Sequence, residues 1–256
     1  MSVERLIPRA DVTEPLPRGL PARATLGGVS GAPPVGEPVD DRPARAPERR
    51  VLDGRYVALR PVDPAADAEP LWAASHDGSD AASLVWTYLS YGPFEQDGGM
   101  REWLRECAPS DDPLFLTVLS HEDGPVGMAA FMNIVPEHRR LEIGHIWYAP
   151  SAQRTEANTE AAYLMMREAF DELGYRRVEW KCDALNERSR AAALRLGFTF
   201  EGVFRRHMIV RRRNRDSAWF SLLDVEWPPA REALERWLDA EPARRPPLAS
   251  LRGEEP

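Results

Sequence analysis

Residues 141–198 read LEIGHIWYAPSAQRTEANTEAAYLMMREAFDELGYRRVEWKCDALNERSRAAALRLGF, and this stretch decides the fold. Its order is strand, loop, helix, strand, helix, strand. Leu141–Tyr148 has the apolar and aromatic residues of a strand. In the helix that follows, Ala162, Met165, Met166, Ala169, Phe170 and Leu173 share one face, while Arg167, Glu168, Asp171 and Glu172 lie on the other. Gly174 is the expected C-cap. Val178, Trp180 and Cys182 alternate with Glu179, Lys181 and Asp183, which predicts a strand. The second helix is expected to bury Ala192, Leu194 and Leu196 and to end at Gly197, and a further strand starts at Phe198. Between the first strand and its helix lies the loop APSAQRTEAN. It leads into a helix N-terminus, whose orphan N–H donors and partial positive charge suit a pyrophosphate.

Working outward towards the C-terminus, two long strands run from Phe198 to Val210 and from Ser217 to Trp227, joined by a turn over Arg211–Asp216. Residues 230–239 form a terminal helix, and the proline-rich residues 240–256 are expected to be a disordered tail. Towards the N-terminus, VGMAAFMNI (126–134) and LFLTVLS (114–120) make a hairpin across His121–Gly124, where Asp-Gly is the turn signal. Helical spacing marks Ala68, Leu71, Trp72 and Ser75, and again Met100, Trp103, Leu104 and Cys107. The intervening SLVWTYLSYGPFEQDGG reads as an irregular aromatic loop of the kind that walls a pocket. Arg55–Arg60 alternates as a strand, closed by Pro61 and Pro64. The result is an α/β (α+β) domain over residues 51–239, with a mixed, mostly antiparallel sheet of about seven strands flanked by helices. Residues 1–50 hold nine of the 24 prolines and no apolar period. They are expected to be a disordered arm, either a plain tail or a contact for a partner, so a homodimer stays open.

Composition narrows the function. The 256 residues carry a net charge of −8, which argues against a general nucleic-acid binder. The five histidines (76, 121, 138, 145 and 207) show no zinc spacing, and Cys107 and Cys182 are not a metal or redox pair, so no metal site is expected. Cys182 reads as a core thiol. No window has the roughly 18 apolar residues of a membrane span, and prolines break the short apolar runs at the N-terminus. The expectation is a cytoplasmic protein without a membrane partner. Arg205, Arg206, Arg211, Arg212, Arg213 and Arg215 cluster on the last hairpin, as a solvated turn or as a surface for an acidic partner, a cofactor's phosphate or RNA. Trp219 and Phe220 behind them read as core.

With LEIGHIWYAPSAQRTEANTEA and LGYRRVEWKCDALNERSRAAALRLGFTFEGVFRRH in this order, the chain resembles the GNAT superfamily of acetyl-CoA-dependent N-acetyltransferases, and within it the Rim-type branch that acetylates ribosomal-protein alanine. The resemblance runs from residue 51 to residue 227 and implies a GNAT-like acyl-CoA N-acyltransferase fold. It implies acetyl-CoA as co-substrate and an amine as acceptor: a protein N-terminus, a polyamine or a small molecule. The family's phosphate loop, Q/R-x-x-G-x-G/A, matches Gln153, Arg154, Thr155, Glu156, Ala157 and Asn158, with Thr159 next. Glu156 and Asn158 stand at the two glycine positions. A Glu156 side chain turned inward repels a pyrophosphate, and one turned outward leaves the N–H groups usable. Asn186 matches the residue that meets the pantetheine arm, and Ser189 the branch's candidate proton donor. The two residues also fit a plain helix cap. The family's tyrosine acid is replaced by Ala193.

The chemistry asks for a base, because amines are protonated at neutral pH, and for a donor to the developing oxyanion. The resemblance implies a bulge in strand 141–148, with the N–H groups of Ile146 and Trp147 meeting the acyl group. Glu142 and His145 on that strand are the candidate bases, with Glu142 favoured by family position. Without a bulge, alternation puts Glu142, Gly144 and Ile146 on one face and Ile143, His145 and Trp147 on the other. Trp72, Trp86, Tyr88, Tyr91 and Phe94 would line the acceptor side. The alternative is a catalytically degenerate acyl-CoA-binding sensor or interaction module, motivated by Glu156 and Ala193.

Overall fold

The structure is a computed structural model and describes residues 35–252. The expectations for residues 1–34 and 253–256 lie outside the described residues. Residues 35–40 are extended, exposed and without regular structure. Residues 41–252 form the folded unit.

Eight strands build one sheet: β1 (Leu52–Asp53), β2 (Val57–Pro61), β3 (Leu114–Ser120), β4 (Gly124–Val135), β5 (Arg140–Tyr148), β6 (Arg177–Asp183), β7 (Thr199–Val210) and β8 (Arg213–Leu223). Their order across the sheet is β1-β2-β3-β4-β5-β6-β8-β7. All neighbours are antiparallel except β5 and β6. The eighth strand, absent from the sequence reading, is the two-residue β1. The seven others fall where alternation placed them.

Helices cover both faces. On one face lie α1 (Pro64–Ser75) and α3 (Asp97–Cys107), whose Ala68, Leu71, Met100 and Leu104 pack with Phe115, Met128, Ala130 and Trp147. On the other lie α4 (Glu156–Arg167), α5 (Glu187–Leu196) and α6 (Trp227–Asp239), packed on Leu141, Ile143, Val178 and Phe220. In α5 the buried residues are Ala193 and Leu196, while Leu194, expected inside, is exposed. A short helix, α2 (Asp80–Val85), interrupts the segment read as irregular; Ser79 caps it by accepting from the Ala82 N–H at 3.1 Å.

Two boundaries moved for local reasons. The last turn is only Arg211–Arg212, both at positive φ, so Arg213 and Arg215 belong to β8. That strand ends at Leu223, and Trp227, expected in it, opens α6 just before Pro228 and Pro229, which suit a first helical turn. The tail is not a loose end. Residues 240–252 include a 3₁₀ turn (Pro242–Arg244) and α7 (Leu248–Leu251), with Leu248 buried among α5 and α6. The proline-rich composition hid a single apolar anchor. At the other end, packing begins before residue 51. The Ala44 and Arg45 N–H groups donate to Pro136 and Leu173 carbonyls, each at 3.0 Å, and Arg50 pairs with Glu168.

Candidate active site

The sheet opens at its centre. β5 and β6 pair only from Arg140 and Arg177 to Glu142 and Glu179. Beyond that point β5 stays with β4 and β6 stays with β8, which leaves a gap between them. A bulge in β5 accompanies the separation. Met128 faces Trp147 and Ala130 faces Gly144, so β5 carries one extra residue over this step, and His145 takes φ 51°. The bulge shifts the alternation. Ile143 points into the α4 side of the core, whereas Trp147 points into the α1–α3 side. It also sorts the N–H groups. The Ala149 N–H donates to the Val126 carbonyl at 2.7 Å, so the ladder's alternation turns the Trp147 N–H to β4 and the Ile146 N–H into the gap. Of the two N–H groups expected to meet an acyl oxygen, only that of Ile146 faces away from β4.

Glu142 lies at the point where the strands part and is 2% exposed. Its Oε2 accepts from Asn133 Nδ2 at 2.7 Å and faces Lys181 Nζ at 3.2 Å. Its Oε1 takes no hydrogen bond from the described residues and lies 3.4 Å from where a side-chain Cβ on Gly144 would stand. Burial holds the carboxyl above the usual glutamate range, with Lys181 and Asn133 pulling against it. His145 packs on Phe115 and Tyr91, with ring centroids 4.8 and 5.7 Å away. Burial, then the Lys181 and Arg215 charges, push its imidazole down to about 4. Such a ring is neutral at pH 7 but a poor proton acceptor.

The loop after β5 ends in a cap rather than in free chain. Gln153 Nε2 donates to the Tyr148 carbonyl at 3.1 Å, and Arg154 takes φ 64°. Thr155 is the N-cap of α4, accepting from the Ala157 N–H at 3.2 Å and donating to the Ala152 carbonyl at 2.8 Å. The helix therefore starts at Glu156, and Ala157, Asn158 and Thr159 lie in its first turn or just beyond. Among the described residues the N–H groups of Arg154 and Thr155 have no acceptor, and the exposed Arg154 guanidinium has no carboxylate partner. Glu156 is paired to Arg245 from the tail. Arg195 of α5 reaches across to α4, donating to Thr159 Oγ1 at 2.9 Å without a carboxylate partner among the described residues.

Asn186 and Ser189 occur as the cap that the sequence also allowed. Asn186 Oδ1 accepts from the Ser189 N–H at 3.1 Å. The Ser189 hydroxyl accepts from Trp180 Nε1 at 3.0 Å. Ser189 is thus engaged by Trp180 of β6, and Cys182 is buried as expected. On the acceptor side, the segment after α2 is fastened over the gap. Tyr88 Oη donates to the Leu185 carbonyl at 3.0 Å, and Arg211 donates to the carbonyls of Tyr91 (2.6 Å) and Gly92. Trp86 and Trp147 pack beneath it with ring centroids 5.1 Å apart and planes tilted by 46°, and Trp72 Nε1 donates to the Phe94 carbonyl at 3.1 Å. Phe220 is core, whereas half-buried Trp219 carries Lys181 over its ring at 5.0 Å.

The fold agrees with that of known proteins. The family described as Acetyltransferase (GNAT) domain matches residues 57–199. The chain belongs to the GNAT acetyltransferase family. It is 33% identical over 146 residues to the Bacillus subtilis (strain 168) protein named "Putative ribosomal N-acetyltransferase YdaF", covering 56% of this chain and 78% of that one. A GCN5-related N-acetyltransferase from Brucella melitensis has a similar crystal structure: TM-score 0.79, 41% identity, 83% of this chain and 98% of that chain covered. The microcin C7 self-immunity acetyltransferase MccE, solved with acetyl-CoA and AMP, shares the fold at TM-score 0.58 and 21% identity, over 66% of this chain and 93% of its own.

A GNAT acetyltransferase uses acetyl-CoA, and the residues present fit it. The free N–H groups of Arg154 and Thr155 at the α4 N-terminus suit its diphosphate, and the β5–β6 gap suits its acyl arm. No group of three or more histidine, cysteine, aspartate or glutamate residues fit to hold a metal occurs among the described residues, and none of their helices is long and apolar enough to cross a membrane. The sequence reading missed Lys181, Asn133 and Arg245. Lys181 was visible as a cation on the polar face of β6. Asn133 meets Glu142 only through the pairing of β4 with β5, and Arg245 reaches Glu156 across a long stretch of chain, so neither left a local signal.

Proposed function

We propose that this GNAT enzyme moves the acetyl group of acetyl-CoA directly to a primary amine, with a protein N-terminus as the leading acceptor and polyamines or small amines as the others. The observation that carries it is Glu142 at the mouth of the β5–β6 gap, buried, raised in pKa and with Oε1 open. Acetyl-CoA supplies an activated acyl carbon on a thiol leaving group. Glu142 Oε1 takes the proton of the attacking amine, while Lys181 and Asn133 hold Oε2 and fix the side chain. The Ile146 N–H donates to the carbonyl oxygen as negative charge builds there. A thiol, with a pKa of about 8.5, leaves without a strong acid. That suits a site with Ala193 in place of a tyrosine and with Ser189 already engaged. The leading acceptor rests on the likeness to YdaF.

The test is acetylation of peptide N-termini and an amine panel by the wild type and by Glu142→Gln. The variant is expected to lose about 10²–10⁴-fold in kcat with unchanged CoA affinity. In the wild type kcat/KM should fall on the acid side, below a pKa raised above the ordinary glutamate value. An acid limb near 4, surviving in Glu142→Gln, would make His145 the base instead. The second reading, a binding module, draws on the engagement of Ser189 and the absent tyrosine. Tight acetyl-CoA binding with no turnover on any amine would establish it.

A further inference from the structure

Glu156 stands where the family's phosphate loop has glycine, so the chain needs a means of keeping a carboxylate away from a diphosphate. The C-terminal segment provides one. Arg245 is nearly buried and pairs with Glu156 Oε1 through Nη1. The same guanidinium donates through Nη2 to Tyr56 Oη at 2.8 Å and through Nε to the Ala240 carbonyl at 3.1 Å. It lies over the Trp237 ring at 4.5 Å and against Tyr56 at 5.4 Å. Each guanidinium nitrogen of Arg245 therefore donates a hydrogen bond, and its position is fixed by the end of α6 and by Tyr56 just before β2 rather than by Glu156 alone. Burial works to raise the Glu156 pKa, but its own N–H and Arg245 outweigh it, and the carboxyl sits below its ordinary value. It stays ionised throughout the neutral range, so protonation cannot remove the repulsion.

We propose that Arg245 is a positioning residue for the cofactor. It pins the Glu156 carboxylate in one place and neutralises it, which leaves the Arg154 and Thr155 N–H groups open to the diphosphate. The inference rests on the reading of the α4 N-terminus as the diphosphate site. Arg245 acts through Glu156, not by touching the phosphates. Without Arg245, Glu156 swings freely at the helix N-terminus, where the macrodipole attracts it to the place an anion must occupy. With no carboxylate at 156, Arg245 has no such task.

The experiment is calorimetry of CoA binding to the full chain. Arg245→Met keeps an apolar stem on Trp237 and removes the charge. It is expected to weaken CoA binding at least about tenfold, within the usual span for coupled sites. In a Glu156→Gln background the same substitution should change affinity less than about twofold. In both backgrounds kcat/KM with acetyl-pantetheine, which lacks the diphosphate, should be unmoved, a result that general misfolding would not give. An equal loss of CoA affinity in both backgrounds would mean direct contact with phosphate and would overturn the proposal, as would no loss at all. If Arg245→Met does not fold, titration of the Glu156 carboxyl by NMR in the wild type decides. Its pKa should be the same with and without CoA, and a rise of about one unit on binding would put Glu156 against the phosphates and refute the inference. Failure of the wild type to bind CoA would instead refute the diphosphate site itself.

Discussion

The reading of single residues divides by how far each one's partner lies along the chain. Glu142 and His145 could be picked out because both sit on one apolar strand, where any titratable side chain is conspicuous. Their protonation could not be read, since it depends on Lys181 from β6, Arg215 from β8 and the rings of Tyr91 and Phe115. His145 shows what this environment does to stability. Its folded pKa of about 4 lies below the ordinary 6.5. As pH falls, the unfolded chain therefore binds a proton before the folded chain does. The stability is fully present above about 6.5 and is lost as pH falls towards 4. A shift of this size corresponds to about 3 kcal/mol. His145→Asn, a residue that tolerates the positive φ of the bulge, should flatten this loss. Urea unfolding of both proteins at pH 7 and pH 4.5 measures it, and parallel losses in the two would show that His145 does not titrate with folding.

At the scale of elements, sequence pattern and structure agree wherever a helix or strand is amphipathic and bounded by glycine or proline. They part where a boundary is set by pairing. The β5 bulge is one such place: nothing local in IGHIW shows that His145 is the extra residue, because the bulge exists only relative to β4. Gly127, paired with Tyr148 just beyond the bulge, explains why the strands fit. A Cβ there would strike the Trp147 carbonyl oxygen and come within 3.1 Å of Tyr148 Cα. Both are backbone atoms on the strand that presents the Ile146 N–H, so neither side can yield by a rotamer change. Gly127→Ala should cost about 1–3 kcal/mol of stability, the range for overpacking. It should also lower kcat more than it raises the KM for acetyl-CoA, because the misplaced group acts on the reacting carbonyl and not on the phosphates. Steady-state kinetics alongside denaturant unfolding checks both. Gly144→Ala is the control. Its Cβ meets mainly the flexible Met132 side chain, with Glu142 Oε1 behind it, so stability should hold better than in Gly127→Ala.

For the whole molecule, the core helices and strands between residues 51 and 239 were legible because they repeat the periods of 2 and 3.6, while the two ends of the folded unit were not. The tail EPARRPPLASLRGEEP has the composition of a disordered segment, yet residues 240–252 touch three helices. Leu248 is buried, Arg236 Nη2 donates to the Leu251 carbonyl at 2.6 Å, and Arg252 donates to the Arg195 and Leu194 carbonyls at 2.7 and 3.2 Å, closing the C-terminal end of α5. Together with Arg245 on Glu156, this makes the segment a strap joining α4, α5 and α6. Composition and structure predict different results for a chain ending at Ala240. A disordered tail can be removed without effect. Removing the strap uncovers the Leu248 site, worth about 2 kcal/mol, and leaves Glu156 and the last α5 carbonyls without their arginines, adding roughly 1–2 kcal/mol. At about 2–4 °C per kcal/mol for a chain of this size, the truncated protein should melt about 10 °C lower. An unchanged melting temperature would return residues 240–252 to the status their composition assigns. A fall confined to stability, with CoA affinity intact, would keep the strap's packing and overturn the role of Arg245, which the truncation also removes.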